Sequence, residues 1–319
     1  MNGDCTKPIA FSLGIMAYNE EVNIGRLLAS AVSQTFSTVI LTEIIVVASG
    51  CADNTEGVVR SWAERDSRIR LLTQAKREGK ASAVNQFLAE AKEKILVLCS
   101  ADLLPEGDAI EQVVAPFLDP AVGMTTSRPV PLDDPESFMG FAAHLLWGLH
   151  HQINLRGFKA GELIAFRKIF DRIPYRTAVD EASIEPVIRG QGYEVRYIPT
   201  AIVYNKGPNT IADFLCQRRR IHAGHLAVRD AVGYTVSTMN GLKILGLVLG
   251  HLDWRPRPFF WTWRVAALEA YGRLLGWRDY LRQRDHSVWD IAKTTKDLDA
   301  SYATGAARAA SVAAPHRQG

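Results

Sequence analysis

The sequence predicts an α/β fold in which helices flank a parallel β-sheet, and three observations support this prediction. Short apolar segments typical of buried strands alternate with helical segments along the first hundred residues, a pattern that gives parallel sheets with right-handed crossovers. The clearest strand, Ile95 to Cys99, is apolar at every position, which fits burial on both faces of a sheet. A chain of 319 residues can also bury a full hydrophobic core in one large or two medium domains.

Strands are predicted where apolar residues run together between turn signals. In chain order these strands are Ile9–Met16, Ile44–Ala48, Ile69–Thr73, Ile95–Cys99, Val122–Pro129 and two short strands on either side of Pro199. Helices are predicted where apolar residues recur at three- and four-residue spacing. They cover residues 20–33, with Asn19 as the N-cap, and residues 55–64, 81–91, 138–152, 182–189 and 214–227.

Composition excludes several classes of protein. Apolar residues make up 47% and charged residues 22% of the chain, as in ordinary globular proteins. A net charge of +3 is too small to imply a nucleic-acid partner. The four cysteines lie far apart and form no C-x-x-C pair, so neither a metal knuckle nor a disulfide scaffold is expected. With no secretory signal evident at the N-terminus, a reducing, cytoplasmic location is expected.

Polar residues follow the predicted strands at Tyr18, Ser49 and Asp102, and the carboxyl ends of parallel strands meet at the edge where α/β sheets bind ligands. Gly79 and Lys80 begin a helix whose free amides and lysine favour an anion such as a diphosphate. The Asp102 carboxylate suits a hard cation such as Mg²⁺ or Mn²⁺. The alternative is that Asp102 only caps a helix near Gly107. Neither a dinucleotide-binding glycine motif nor a P-loop is present.

Four segments in this order, AYNEE (17–21), IIVVASGCADNT (44–55), REGKASAVN (77–85) and VLCSADLLP (97–105), resemble the family-2 glycosyltransferases of the GT-A fold. The resemblance extends over residues 11–225. It implies a mixed, mostly parallel sheet flanked by helices, here with a C-terminal helical extension. It also implies an enzyme that transfers a sugar, of the hexosyl type, from a nucleotide-diphosphate sugar.

By this resemblance, eight residues border the nucleotide-sugar pocket: Ala17, Asn19, Glu20, Ser49, Asp53, Lys80, Ser100 and Ala101. Asp102 is the remaining carboxylate of the family's DxD motif and is the implied ligand of Mg²⁺ or Mn²⁺. The sequence departs from the family at two places, because Ser100 replaces the first Asp of DxD and Ala48–Ser49 replaces a paired Asp. A hydroxyl can donate or accept a hydrogen bond, but it supplies no charge.

The acceptor side of the resemblance begins with Gly161, Ala165 and Arg167, which match a G-x-x-x-A-x-R segment near the sugar or acceptor. In the following segment, Asp180 and Glu181 stand where the family has an acidic pair containing the catalytic base. By position Glu181 matches the base, and Asp180 is the other candidate. The alternative is that both acids only favour the dipole of the helix that they begin.

Gln217, Arg219 and Arg220 resemble the Q-x-x-R-W motif of processive and membrane-linked members, among them the cellulose synthase-like proteins, although Ile221 replaces the Trp. The motif implies the acceptor and diphosphate end of the site, and an arginine fork suits a phosphate or a lipid head group. The alternative is an exposed basic helix face. The histidines of the 138–152 helix are expected to line a helix face rather than to bind a metal.

The sequence predicts a catalytic domain at 1–228, a helical extension at 229–299 and a disordered tail at 300–319. Val232 to Leu252 is apolar but interrupted by polar residues and glycines. Phe259 to Trp277 mixes aromatic residues with arginines, which suits either a helix in a membrane interface or a buried core helix.

These features predict transfer from a nucleotide-sugar donor, UDP-linked, to a saccharide or lipid acceptor, with inversion at the anomeric carbon and with a divalent cation. Synthesis of a polysaccharide or glycolipid, at the inner face of the cell membrane, is the expected setting. The alternative is a protein that binds a nucleotide sugar but has lost catalysis, which Ser100 and the order Asp180–Glu181 would favour. A sugar nucleotidyltransferase would need a G-x-G-T-R-like segment at the first strand, and AYNEE offers none.

Overall fold

A computed structural model of the chain describes residues 8–175 and 179–284, and the fold given below concerns these residues. Within them, eight strands form one mixed sheet in the order β3-β2-β1-β4-β7-β6-β8-β5. The strands are β1 (Ile9–Ala17), β2 (Val39–Ser49), β3 (Ile69–Gln74), β4 (Ile95–Ser100), β5 (Leu104–Pro105), β6 (Val122–Pro131), β7 (Ile164–Arg167) and β8 (Glu194–Asn205).

Helices connect most of these strands. They are α1 (Ile24–Ser33), α2 (Thr55–Ala63), α3 (Lys80–Glu90), α4 (Ala109–Val114), α5 (Phe138–Asn154), α6 (Asp180–Gly190), α7 (Ile211–Val232), α8 (Gly241–Gly250) and α9 (Pro256–Leu281). Short 3₁₀ turns lie at Ala115–Leu118 and Ser237–Met239. The predicted alternation of strands and helices is confirmed over the first hundred residues.

The first half of the chain forms the parallel part of the sheet. β1 pairs in parallel with β2 and β4, and β2 pairs in parallel with β3. β7 then enters between β4 and β6 and is antiparallel to both, which makes the sheet mixed. The carboxyl ends of β1, β2 and β4 therefore lie at the same edge, as the sequence predicts.

Two apolar layers cover the two faces of the sheet. Along β4, Ile95, Val97 and Cys99 contact the layer that contains α1, α2 and α4, whereas Leu96 and Leu98 contact the layer that contains α3 and α6. All five side chains are buried. The prediction of a strand buried on both faces is confirmed.

Helix α3 lies very close to the sheet at Gly14 in β1. A Cβ atom built on Gly14 would lie 2.7 Å from ring carbons of Phe87, which is fully buried in α3. Only a residue without a side chain allows this approach. The start of α3, with Lys80, is thereby held at the edge where the strands end.

The predicted start of the first helix was wrong, and so was the alternative role of Asp102 as a helix cap. Helix α1 begins at Ile24 rather than near residue 20, with Asn23 at the N-cap position. Asn19 does not cap this helix, because it adopts a left-handed backbone with φ of 52° and its side chain turns to a neighbouring loop. Asp102 likewise does not cap a helix, because α4 begins at Ala109, after Asp108.

The two short strands predicted around Pro199 are one continuous strand, β8. In its parallel pairing with β6, Tyr197 pairs with Thr126 and Ile202 pairs with Arg128, so the residues between Tyr197 and Ile202 form an irregularity. Pro199 lies in this irregularity, where its missing N–H interrupts no ladder hydrogen bond.

The C-terminal helices α8 and α9 pack on α5 and α7. The predicted boundary at residue 228 falls within α7, which continues to Val232. Gly272 and Gly276 of α9 face α7, and a Cβ on Gly276 would lie 2.5 Å from the backbone oxygen of Arg219. The guanidinium of Arg219 forms an ion pair with the buried carboxylate of Asp279. These contacts hold α9 against α7.

No helix within residues 8–175 and 179–284 is both long and apolar enough to cross a membrane. The segment Val232 to Leu252 contains the end of α7, the short 3₁₀ turn at Ser237–Met239 and the ten-residue helix α8. Helix α9 is not a buried core helix, because Phe260, Tyr271 and Trp277 are exposed. Residues 285–299 of the predicted extension and the predicted disordered tail, 300–319, lie outside the described residues.

Candidate active site

A cavity of about 380 Å³ opens at the edge of the sheet where β1, β2 and β4 end. Most of the predicted site residues line it: Ala17, Glu20, Ser49, Lys80, Ser100, Ala101, Asp102, Asp180, Glu181, Gln217 and Arg220. Residues from α5, α6 and α7 and the loop after β8 complete the wall. The structure thus brings together side chains that are up to 203 positions apart in the sequence, from Ala17 to Arg220.

An aromatic residue and an arginine lie at the side of the cavity formed by β1 and β2. The Arg77 guanidinium lies 4.2 Å from the centroid of the Tyr18 ring, and both residues line the cavity. Ser49 accepts a hydrogen bond from the backbone N–H of Glu78 at 3.3 Å, which ties β2 to the loop before α3. A flat ring beside a cationic group suits a nucleoside diphosphate.

Asn19 and Asp53 are not part of the cavity lining. The Asn19 side-chain oxygen accepts a hydrogen bond from the backbone N–H of Ala52 at 2.8 Å. Asp53 accepts hydrogen bonds from the backbone N–H groups of Glu21 at 3.1 Å and Thr55 at 3.0 Å. Both side chains therefore connect the loop after β1 with the loop after β2.

A lysine and two acids form the most strongly charged part of the cavity. The Nζ atom of Lys80, at the start of α3, lies 3.0 Å from Oδ2 of Asp180 and 2.9 Å from Oε1 of Glu181. Both acids stand in the first turn of α6. The preceding residues 176–178 lie outside the described residues.

Burial and neighbouring charges change the protonation of this group. Burial lowers the pKa of Lys80, but the carboxylates of Asp180 and Glu181 outweigh it and raise that pKa well above its ordinary value. Burial and the Asp180 charge raise the pKa of Glu181 to about 7, although Lys80 opposes this shift. A carboxylate with a pKa near 7 is suited to accept a proton at neutral pH.

Asp102 follows β4 and lines the same cavity, where Ser100 and Ala101 precede it. No group of three or more His, Cys, Asp or Glu residues within 8–175 and 179–284 is arranged to hold a metal ion. One carboxylate is still compatible with Mg²⁺ or Mn²⁺, because such ions retain waters and are bound partly by substrate phosphates. The residues present therefore fit a cation that arrives with a diphosphate.

The G-x-x-x-A-x-R segment divides between the cavity and the fold. Gly161 and Glu162 line the cavity, whereas Ala165 is buried in β7. Arg167 points elsewhere and donates hydrogen bonds to backbone oxygens of Val122 at 2.7 Å and Asp119 at 3.1 Å. Arg167 therefore stabilises the structure around the start of β6 and does not line the cavity.

Of three consecutive arginines in α7, two reach the cavity. Arg218 and Arg220 line it, whereas Arg219 faces α9 and pairs with Asp279. Gln217 lines the cavity and accepts a hydrogen bond from Arg218 at 3.0 Å. Burial and Arg218 lower the pKa of Arg220 to about 10, which still leaves it charged at neutral pH.

Sequence reasoning missed several lining residues, among them Trp147, Lys159, Glu162, Asn205 and Arg218. Arg218 lies inside the segment that resembles the Q-x-x-R-W motif, and Glu162 lies inside the G-x-x-x-A-x-R segment. Lys159 lies in a loop without periodicity, so no pattern marked it. Of the helix histidines, His150 lines the cavity, whereas His144 Nε2 lies 2.8 Å from the backbone oxygen of Asp133 and His151 Nδ1 lies 2.6 Å from the Tyr197 hydroxyl.

Comparison with known proteins gives the same classification. The model of the family "Glycosyl transferase family 2" matches residues 12–185, more than half of the chain. Poly-beta-1,6-N-acetyl-D-glucosamine synthase of Staphylococcus aureus is 25% identical over 245 residues. That alignment covers 72% of this chain but only 58% of the relative, so the chain spans little more than half of that protein.

Solved structures support the fold. A mannosyltransferase from Pyrobaculum calidifontis, in complex with GDP-Man and Mn²⁺, is 21% identical with a TM-score of 0.59, covering 95% of this chain and 87% of that one. Glucosyl-3-phosphoglycerate synthase from Mycobacterium tuberculosis, in complex with Mn²⁺, UDP and glucosyl-3-phosphoglycerate, is 18% identical with a TM-score of 0.50, covering 72% and 82%. These likenesses confirm the predicted GT-A fold.

Proposed function

The chain belongs to glycosyl transferase family 2, and from this premise we propose that it transfers a sugar from a nucleotide-diphosphate sugar to an acceptor hydroxyl with inversion. The contact that carries the proposal is the bridge from Lys80 to Asp180 and Glu181, inside the cavity that Asp102 also lines. Glu181 as a proton acceptor, Lys80 as a cation and Asp102 as a carboxylate that suits a metal ion thus line one cavity.

On the donor side, the diphosphate lies at the start of α3, where free backbone amides and Lys80 favour negative charge. Tyr18, Arg77 and Ser49 line the adjoining wall and would contact the nucleoside. The proposed donor is UDP-linked. Asn19 and Asp53, which do not line the cavity, would act by holding the two loops in place.

A divalent cation, Mg²⁺ or Mn²⁺, would be held by Asp102 together with oxygens of the donor diphosphate. When bound, the cation would neutralise charge that develops on the departing diphosphate. Ser100 supplies a hydroxyl where a second carboxylate would strengthen the site, so cation affinity depends on the nucleotide. Lys80 and Arg220 add positive charge that does not depend on the cation.

Glu181 is the proposed general base. It would take the proton of the acceptor hydroxyl as the acceptor oxygen forms its bond to the anomeric carbon. The bond from that carbon to the diphosphate oxygen breaks in the same step, and the nucleoside diphosphate leaves with the electron pair. Attack from the opposite face inverts the anomeric carbon without a covalent intermediate on the protein. Gln217 and Arg220 would line the acceptor and diphosphate end of the cavity. Arg219 would hold α7 against α9 through its ion pair with Asp279.

The acceptor is proposed to be a saccharide or a lipid, used at the cytoplasmic face of a membrane in polysaccharide or glycolipid synthesis. Large apolar side chains on α8 and in the segment before α9 support contact with a membrane surface, since Leu242 is 83% and Trp254 78% exposed. Arg255 and Arg257 follow Trp254 within three positions, and anionic lipids would compete for them with Asp253 and Glu136, their exposed ion-pair partners. Poly-N-acetylglucosamine synthesis, named for the staphylococcal relative, is one reaction of this class.

A second candidate function is binding of a nucleotide sugar without turnover. Two observations favour it: Ser100 replaces a carboxylate, and Glu181 is already engaged by Lys80. Such a protein would bind donor as tightly in a Glu181→Gln variant as in the wild type and would release no nucleoside diphosphate from either.

The test is release of nucleoside diphosphate by the purified full chain from a panel of UDP- and GDP-sugars, with Mg²⁺ or Mn²⁺ and with saccharide or lipid extracts as acceptors. The proposal expects release with at least one sugar and loss of release in Glu181→Gln. Glu64→Gln, a change of an exposed charge at the C-terminal end of α2, is the matched control and should retain wild-type rates. Donor binding without release in the wild type would establish the second candidate.

A further inference from the structure

A second, smaller cavity of about 90 Å³ adjoins the first. It lies between α5, α7, α8 and α9, away from the sheet. Six residues line both cavities and form the wall that they share: Leu146, His150, Lys159, Arg218, Ile221 and His225. A ligand bound in the first cavity would therefore lie next to the second cavity.

Positive charge exceeds negative charge around the second cavity. Lys159, Arg218 and Arg273 line it, and Glu269 is the one carboxylate in its lining. Arg273 Nε donates to Glu269 Oε1 at 2.9 Å, and Arg273 Nη1 donates to the backbone oxygen of Thr238 at 3.1 Å. Arg218 Nε is 3.9 Å from Glu269 Oε2. The Glu269 carboxylate is thus the shared counterion of Arg218 and Arg273.

Arg218 and Lys159 are only partly matched by acceptors, since Arg218 donates a hydrogen bond to Gln217 at 3.0 Å but not from Nε. Arg218 Nε is buried and makes no hydrogen bond with the described residues. Within the described part of the chain, Lys159 forms no ion pair, and the carboxylates of Glu269 and Glu162 act on its charge only from a longer distance. Cations that are largely covered normally have counterions or hydrogen-bond acceptors, so the excess of Lys159, Arg218 and Arg273 over Glu269 in the lining indicates that further negative charge comes from a ligand.

The protonation of the neighbouring groups agrees with this geometry. Burial and the charge of Arg218 lower the pKa of Lys159 to about 8, with Glu269 only partly opposing them. Burial and Lys159 also lower the pKa of His150 to about 3, so this histidine is neutral. Lys159 itself remains charged at neutral pH.

We propose that the second cavity is a subsite for an anionic group of the acceptor, a phosphate or a carboxylate, held by Lys159, Arg218 and Arg273. This inference rests on the proposed function, because it describes the acceptor of the same reaction. The anionic group does not react. It positions the acceptor across the shared wall so that a hydroxyl of the acceptor faces Glu181 in the first cavity.

Two sources could supply this group. Leu149, Ile153 and Ile244 form an apolar wall of the cavity, and α8, which contributes Ile244, exposes Leu242 and Leu249 on its other side. An acceptor lipid with a phosphate head group and a small phosphorylated acceptor share the chemistry that the three cations recognise.

The experiment measures binding of a phosphate ester by calorimetry to the full chain, at saturating UDP and Mg²⁺ so that the diphosphate position is filled. Glycerol 3-phosphate is the soluble probe, and phosphatidic acid in phosphatidylcholine vesicles is the lipid probe. Arg273→Gln and Lys159→Gln are compared with Arg278→Gln, an exposed arginine on the same helix as Arg273. UDP binding by each variant shows that it is folded.

The proposal expects Arg273→Gln and Lys159→Gln each to weaken binding of at least one probe tenfold or more, with UDP binding unchanged in Arg273→Gln, which lines only the second cavity, and with Arg278→Gln at the wild-type value. The probe whose binding is weakened shows whether the anionic group comes from a small phosphorylated acceptor or from a lipid head group. Equal binding of both probes by all four proteins would overturn the subsite, as would a vesicle signal that Arg278→Gln reduces equally. If the wild type fails to bind UDP, the donor assignment fails, and the same titrations without UDP still decide the subsite.

Discussion

The ammonium group of Lys80 lies 2.9 Å from a carboxylate oxygen of Glu181, across 101 positions of sequence. Lys80 begins α3 and Glu181 stands in the first turn of α6, so the contact joins the start of two helices at one edge of the sheet. The same nitrogen lies 3.0 Å from Asp180. The cation that would support the diphosphate is therefore also the group that controls the charge of the base.

The pH dependence of sugar transfer should report the ionisation of Glu181. A general base must be deprotonated, and the pKa of this carboxyl is raised to about 7 by burial and by Asp180. We expect kcat/KM to fall as the pH decreases through about 7. Asp180→Asn removes a neighbouring negative charge, so the pKa of Glu181 should decrease and the acidic limb should move to lower pH. An unchanged limb in Asp180→Asn would assign the ionisation to another group.

Removal of Lys80 should destabilise the protein more at pH 8 than at pH 5. Lys80→Met leaves two acids close together without a counterion, and breaking such a pair costs about 3 kcal/mol, the low end of the range because both partners retain some exposure. At pH 5 Glu181, whose pKa is raised to about 7 by burial and by Asp180, binds a proton, which removes much of the repulsion. Urea unfolding at both pH values measures the difference, with exposed Lys92→Met as the control. An equal loss at pH 5 and pH 8 would show that packing, not charge, is responsible.

The sequence predicted the site well where strand ends determine it. Ala17, Ser49 and Asp102 follow parallel strands, and strand order alone brings their backbones to one edge. It could not decide which of Arg218, Arg219 and Arg220 reach the cavity, because successive residues of a helix point about 100° apart and the orientation of α7 depends on its packing against α9. Asn19 was misassigned as a cap because its left-handed backbone depends on a hydrogen bond to the distant Ala52.

The contact between Gly14 and Phe87 should govern how close α3 lies to the sheet. Gly14→Ala places a Cβ 2.7 Å from the ring, and overpacking of this kind costs about 1–3 kcal/mol. Phe87→Leu in the same chain should recover part of that loss, although it is destabilising alone. Chemical unfolding of the two single variants and the double variant gives the coupling. Strict additivity of the two losses would contradict a direct clash.

Binding to membranes should depend on the exposed aromatic residues of α9 and the segment before it. Trp254→Ser with Phe260→Ser should reduce flotation with vesicles that contain anionic lipid, because both side chains are more than 60% exposed. Leu118→Ser with Tyr175→Ser removes exposed apolar surface from other parts of the fold and serves as the control. If both pairs reduce flotation equally, or if neither does, α9 is not the membrane-binding surface.

Restoring the missing carboxylate at position 100 should strengthen cation binding. Ser100 stands two residues before Asp102 at the end of β4, and both line the cavity in the described structure. Ser100→Asp adds a second oxygen ligand of the kind that Mg²⁺ and Mn²⁺ prefer, so we expect Mn²⁺ to bind roughly tenfold more tightly in the presence of UDP. In the absence of UDP the gain in Mn²⁺ affinity should be smaller, because the added carboxylate then repels Asp102 without a bound cation to offset it.

Electron paramagnetic resonance of free Mn²⁺ measures the affinity, and Ser100→Asn, similar in shape but uncharged, is the control. If Ser100→Asp and Ser100→Asn bind Mn²⁺ alike, the cation does not lie beside the end of β4. Loss of UDP binding in Ser100→Asp with Ser100→Asn unaffected would instead indicate that position 100 faces the diphosphate directly, where a negative charge repels it.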